Sequence, residues 1–129
     1  MINGTYIWKI QKCSWSIDNI YIGIDNAKAK WINDEFFLHQ EKAWYTYNCF
    51  GGTIRSWNSL PQKTYKEARR CGDIITMILK FDDNGGILTV SINNSKEIII
   101  SNNIARSDEL HYRLVISMFN NNSAVKLLD

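Results

Sequence analysis

His39, His111, Cys13, Cys49, Cys71 and the acids Asp34, Glu35 and Glu41 are the first side chains in this sequence to test for chemistry. A nucleophilic site needs Ser or Cys beside a His that a third group orients, usually on a sharp turn. No Gly-x-Ser-x-Gly turn occurs, the two histidines stand far apart, and neither sits in an H-x-x-x-H pattern. Both read as structural or surface residues. A glycosidase needs two carboxylates flanking a sugar. Glu35 beside Phe36 and Phe37, and Glu41 near Trp44, are the candidates, yet "NDEFF" reads first as a polar turn entering a strand. The cysteines are odd in number and lack a C-x-x-C pair, which argues against a disulfide framework and a thiolate zinc site. They read as three reduced, buried and inert thiols, which implies an intracellular, cytoplasmic protein. Gly51-Gly52 and Gly85-Gly86 do not open a helix after a strand, as phosphate cradles do. "DDNGG" lacks the spaced ligands and closing Glu of a calcium loop. The expectation is a protein with no catalytic residue, no metal and no cofactor.

Bulk properties narrow the partners. Lys and Arg number 15 against 13 Asp and Glu, a net charge of +2 that is too mild to imply nucleic acid. The short basic cluster "KEARR" is interrupted by Glu67 and reads as solvated surface. No apolar stretch is long enough to span a bilayer, and "MINGTYIWKI" lacks the basic start and apolar run of a secretory signal. A length of 129 residues favours one domain, spanning 1–129.

The elements that must position any site are strands. Period-two alternation bounded by turn formers appears in "TYIWKI", with Tyr6, Trp8 and Ile10 on one face, and in "IYIGI", "AWYTY" and "TIRSW". In "DIITMILKF", Ile75, Met77, Leu79 and Phe81 share one face, with Thr76 and Lys80 opposite. "ILTVSI" mirrors it: Leu88, Val90 and Ile92 face in, Thr89 and Ser91 out. Asp83 to Gly86 between them suit a tight hairpin, and Asn93, Asn94 and Ser95 turn the chain again. "KEIIIS", "HYRLVISM" (Tyr112, Leu114, Ile116 and Met118 aligned) and "SAVKLL" complete about nine or ten strands. "PQKTYKEARR" is the one stretch that could give a helical turn. Such spacing predicts an all-β sandwich or barrel with its loops gathered at the ends.

The run "CGDIITMILKFDDNGGILTVSINN" resembles the central signature of SPRY domains. There a Gly-Asp pair opens a strand, a short acidic turn follows, and the next strand ends in an Asn-Gly turn. Gly72-Asp73 match the opening pair, and Leu79 to Asp82 take the place of an "LDLD"-like run. "GTYIWKIQ", "IYIGI", "AWYTYNCFGGTI" and "YRLVISMFNNNSAVKLL" are similar to the family's other segments, in the same order. Asn94 replaces the turn Gly, Val90 a common aromatic and Arg113 a common Pro. No PRY segment matches, so the likeness is to a plain SPRY domain and not to a full B30.2 unit.

The resemblance implies a bent, two-sheet antiparallel β-sandwich. It also implies a non-catalytic, monomeric module, able to stand inside a larger protein, that recognises a partner protein or short peptide through loops at one end. Carried onto this chain, the partner-binding residues are Trp31, Phe37, His39, Trp57, Phe119, Asn120, Asn121 and Asn122. Aromatic anchors with amide rims suit such interfaces. A lectin-like carbohydrate-binding module is the alternative, because legume-lectin-like sandwiches share the architecture.

Overall fold

The structure, a computed structural model, describes residues 4–13, 20–26, 44–49, 52–56, 63–68, 70–104, 112–118 and 124–128. Its strands are β1 (Gly4–Lys12), β2 (Ile20–Asn26), β3 (Trp44–Asn48), β4 (Thr53–Ser56), β5 (Lys63–Thr64), β6 (Ile74–Asp82), β7 (Gly85–Ile92), β8 (Ile98–Ile104), β9 (Tyr112–Met118) and β10 (Val125–Leu128). One five-stranded sheet has the order β10-β1-β6-β7-β8 and the other β5-β4-β3-β2-β9. Every pairing is antiparallel.

Alternation explains the layering. Side chains on a strand point to opposite faces with period two, so one face can be apolar throughout. On β6 and β7 the residues Ile75, Met77, Leu79, Phe81, Leu88, Val90 and Ile92 are buried, as the pattern predicts. The second sheet meets them with Ile20, Ile22, Ile24, Tyr47 and Ile54. Leu114 and Ile116 on β9 pack against this core, but Met118 at the end of that edge strand is exposed. Phe81 reaches across to Tyr112, with ring centroids 6.1 Å apart.

The outward face departs from simple alternation. Thr76 and Ser91 are buried rather than solvated. Register is the reason: Thr76 lies on a central strand between Lys9 and Ser91, whose side chains stand directly beside it on the same face. The same face carries a cross-strand row of Ile7, Ile78, Thr89 and Ile99. Two of these, Ile7 and Ile99, are exposed.

Two further expectations are corrected. The "PQKTYKEARR" stretch gives no helical turn among its described residues: Lys63–Thr64 form the short strand β5, and Tyr65 to Ala68 follow as irregular chain held by tertiary hydrogen bonds. The cysteines are free thiols, but only Cys49 is buried; Cys13 is exposed and Cys71 half-buried. Cys49 belongs to the core, whereas Cys13 follows the last residue of β1 and Cys71 lies in a turn.

Candidate functional site: a charged cleft at the base of the β6–β7 hairpin

At the base of the long hairpin the chain makes two turns that lock together. β7 ends at Ile92 and turns through Asn93 and Asn94, whose φ angles of 51° and 62° are left-handed. Asn tolerates that region because its short amide bonds locally. The Ser95 N–H closes the turn on the Ile92 carbonyl at 3.0 Å. The second turn runs from Arg70 to Asp73, whose N–H donates to the Arg70 carbonyl at 3.1 Å. Gly72, at its third position, has φ 97°, which a type II turn requires there.

Asp73 joins the two turns. Its Oδ2 accepts the Arg70 N–H at 2.9 Å and its Oδ1 accepts Asn93 Nδ2 at 2.9 Å. Asn93 Oδ1 in turn accepts the Ile74 N–H at 2.8 Å. The "GD" and "NN" pairs of the sequence are therefore partners in one clamp. Asp73→Ala removes the acceptor for two donors, and we expect a loss of about 1–3 kcal/mol in unfolding free energy by urea titration.

The facing wall is the segment after β5. Tyr65 N–H donates to the Gly52 carbonyl at 2.8 Å, and Ala68 N–H to the Cys49 carbonyl at 3.1 Å. The Tyr47 hydroxyl donates to the Lys66 carbonyl. Burial pushes that hydroxyl far above its usual range, so it stays a neutral donor at any ordinary pH. The Tyr65 hydroxyl donates to the Lys96 carbonyl and shares a 2.7 Å hydrogen bond with Ser95 Oγ, which ties this wall to the Asn93–Asn94 turn. The two rings meet edge to face with centroids 6.5 Å apart.

Between the walls lies a cleft of about 570 Å³ lined by Lys66, Glu67, Arg70, Asp73, Ile92, Asn93 and Ser95. Among the described residues the lining holds no His or Cys, and Ser95 Oγ is engaged by Tyr65. Both oxygens of Asp73 are committed to the clamp, while Lys66 and Arg70 project from exposed positions. The lining thus brings the cations Lys66 and Arg70 and the carboxylate of Glu67 around the apolar side chain of Ile92. Among the described residues, no group of three or more His, Cys, Asp or Glu could hold a metal ion.

The residues singled out from sequence, Trp31, Phe37, His39, Trp57, Phe119, Asn120, Asn121 and Asn122, lie outside the described residues, as do Asp34, Glu35, Glu41 and His111. The strands show where their segments attach. Asp25 pairs with Trp44 and Tyr45 with Ser56, so the end of β2, the start of β3 and the end of β4 lie at one end of the second sheet. Met118 pairs with Ile20, whose carbonyl accepts the Cys49 N–H, and Cys49 in turn anchors Ala68. Met118, the last residue of β9, is therefore at the other end of the sheet, where the cleft is. Sequence reasoning missed Lys66, Glu67, Arg70, Asp73, Asn93 and Ser95 as a group. The signal was present in the two turn pairs, but nothing local shows that they face the "KEARR" segment.

Two five-stranded antiparallel sheets in these orders, one of them built around the long β6–β7 hairpin, form a β-sandwich with the fold of SPRY domains. The crystal structure of the SPRY domain of human HERC1 matches with a TM-score of 0.66 at 18% identity, covering 100% of this chain and 77% of that one. No family model and no curated protein matches the sequence. Among the described residues no helix is long and apolar enough to cross a membrane.

Proposed function

We propose that this chain is a non-catalytic protein-interaction module, and that the cleft between Lys66 and Ser95 is where it grips a short, acidic, extended peptide segment of a partner protein. The observation that carries the reading is the rigid clamp itself. Both walls are fixed by main-chain hydrogen bonds, and exposed Lys66 and Arg70 stand over a floor that contains Ile92. A preformed site of this kind spends little ordering entropy on binding. A carboxylate on the partner meets Arg70 as a planar, bidentate donor and Lys66 as a compact charge. The residues that follow β9 in sequence, Phe119 and Asn120 to Asn122, are proposed to extend the contact. Trp31, Phe37, His39 and Trp57 are proposed as a separate candidate surface.

Peptide display tests the reading. Peptides selected on the wild-type protein should be enriched in Asp and Glu, and their affinity should fall at least about 10-fold in the Lys66→Glu/Arg70→Glu variant, the cost of about 1.4 kcal/mol or more. It should also weaken with rising salt. Selected peptides of no particular charge that bind the double variant equally well would rule the cleft out. The stability of the variant is checked separately by thermal melting, since both side chains are exposed.

A further inference from the structure

We infer that Cys13 and Cys71 are a vicinal, oxidisable thiol pair that closes into a disulfide when the protein meets a hydroperoxide. The inference is independent of what the cleft binds.

The register at the end of β1 brings the pair together. Lys12 N–H donates to the Asp73 carbonyl at 2.8 Å, and the Lys12 carbonyl accepts the Gly72 N–H at 2.7 Å. One residue of β1 thus faces two residues of the other strand, which is a bulge with left-handed Gly72 in its first position. The strand register ends at Gln11 opposite Ile74, and the Lys12 hydrogen bonds to Gly72 and Asp73 hold Cys13 against the Arg70–Asp73 turn that carries Cys71. Cys13 directs its own N–H away, to the Ala124 carbonyl at 2.8 Å on the far side of β1. The two residues are thus neighbours where the end of β1 meets the turn. Contact between the two residues is already made: the Cys71 Sγ–H donates to the Cys13 carbonyl oxygen at 3.3 Å. Cys13 Sγ rests on the Gln11 carbonyl at 3.5 Å, a weak exposed contact that a turn about its Cα–Cβ bond releases. Both thiols are accessible, whereas Cys49 is 1% exposed and out of reach of solvent oxidants.

The reaction balances with a hydroperoxide as the sole oxidant. One thiolate attacks the peroxide oxygen and becomes a sulfenic acid, the O–O bond breaking to release hydroxide or alkoxide. The second thiol attacks the sulfenic sulfur, forms the S–S bond and expels the oxygen as water. Two thiols lose two electrons and two protons; the peroxide takes them up. The bond would tie the end of β1 to the Arg70–Asp73 turn and close a loop of nearly half the chain, which constrains the unfolded state strongly.

The test is hydrogen peroxide treatment of the reduced protein, followed by alkylation, non-reducing proteolysis and mass spectrometry. The expected product is a monomer in which the Cys13 and Cys71 peptides are linked to each other and Cys49 remains a thiol. Its Tm should rise by about 5–15 °C and return on reduction. Cys13→Ser and Cys71→Ser should each abolish both changes. Linkage between chains, a bond to Cys49, or stepwise oxidation of Cys13 to sulfonic acid with no linked peptide would overturn the inference. These readouts on the wild-type protein do not depend on how either variant folds.

Discussion

Gly52→Ala is expected to destabilise the fold by about 3 kcal/mol or more and to dismantle the cleft as it does so. A Cβ at this position would lie 2.0 Å from the Tyr65 carbonyl oxygen and 2.8 Å from its carbon, and the residue's φ of +66° is strained for any L side chain. The obstructing atoms are main chain, so no rotamer change relieves the clash. Tyr65 to Ala68 must move, and their hydrogen bonds to Gly52 and Cys49 go with them. Urea unfolding measures the first effect and affinity for a selected peptide the second. Gly72→Ala is the control: its φ is also positive, but a Cβ there meets nothing within 4 Å, so only the conformational cost of about 1–3 kcal/mol applies. A Gly52→Ala protein as stable as wild type would mean that the wall does not pack against this turn.

Leu79→Ala should cost about 2–5 kcal/mol, read as a shift in the urea midpoint with little change in slope. Leu79 is 1% exposed and paired between Tyr6 and Leu88 at the centre of its sheet. Removing its isobutyl group leaves a cavity that neighbours on two fixed strands cannot fill. The effect differs in kind from Gly52→Ala. The fraction that remains folded should bind peptide with wild-type affinity, because Leu79 pairs with Leu88, further along the hairpin from the cleft residue Ile92 and its partner Ile75. A parallel loss of affinity would show that core and cleft are coupled.

These two variants mark what is legible in the sequence and what is not. The inward face of β6 and β7 can be read from alternation alone, because burial between two layers imposes period two on the apolar residues. The Asn93–Asn94 turn is legible too, since few residues accept consecutive left-handed φ angles. The burial of Thr76 and Ser91 is not, as it depends on which side chains the register sets beside them. Nor is the path of Tyr65 to Ala68 legible. That segment has no periodicity, and its shape comes from donors and acceptors on Tyr47, Cys49, Gly52 and Ser95, far off along the chain. The cleft inherits this difficulty: Lys66 and Arg70 look like solvated charge until Tyr65 is tied to Ser95. The contact between Cys13 and Cys71 is hidden for a related reason, because the Lys12 hydrogen bonds to Gly72 and Asp73 that bring the two together arise only when the strands are paired.

The most direct test of the interaction-module account is amide chemical-shift mapping with an acidic peptide selected on the wild-type protein. The account predicts that the largest changes fall on Lys66, Glu67, Arg70, Asn93 and Ser95, with little at Ile78, Ile87 and Ile99 on the outer face of the β6–β7–β8 sheet. Changes centred on that outer face, or on the segment from Trp31 to His39 with none at the cleft, would contradict it.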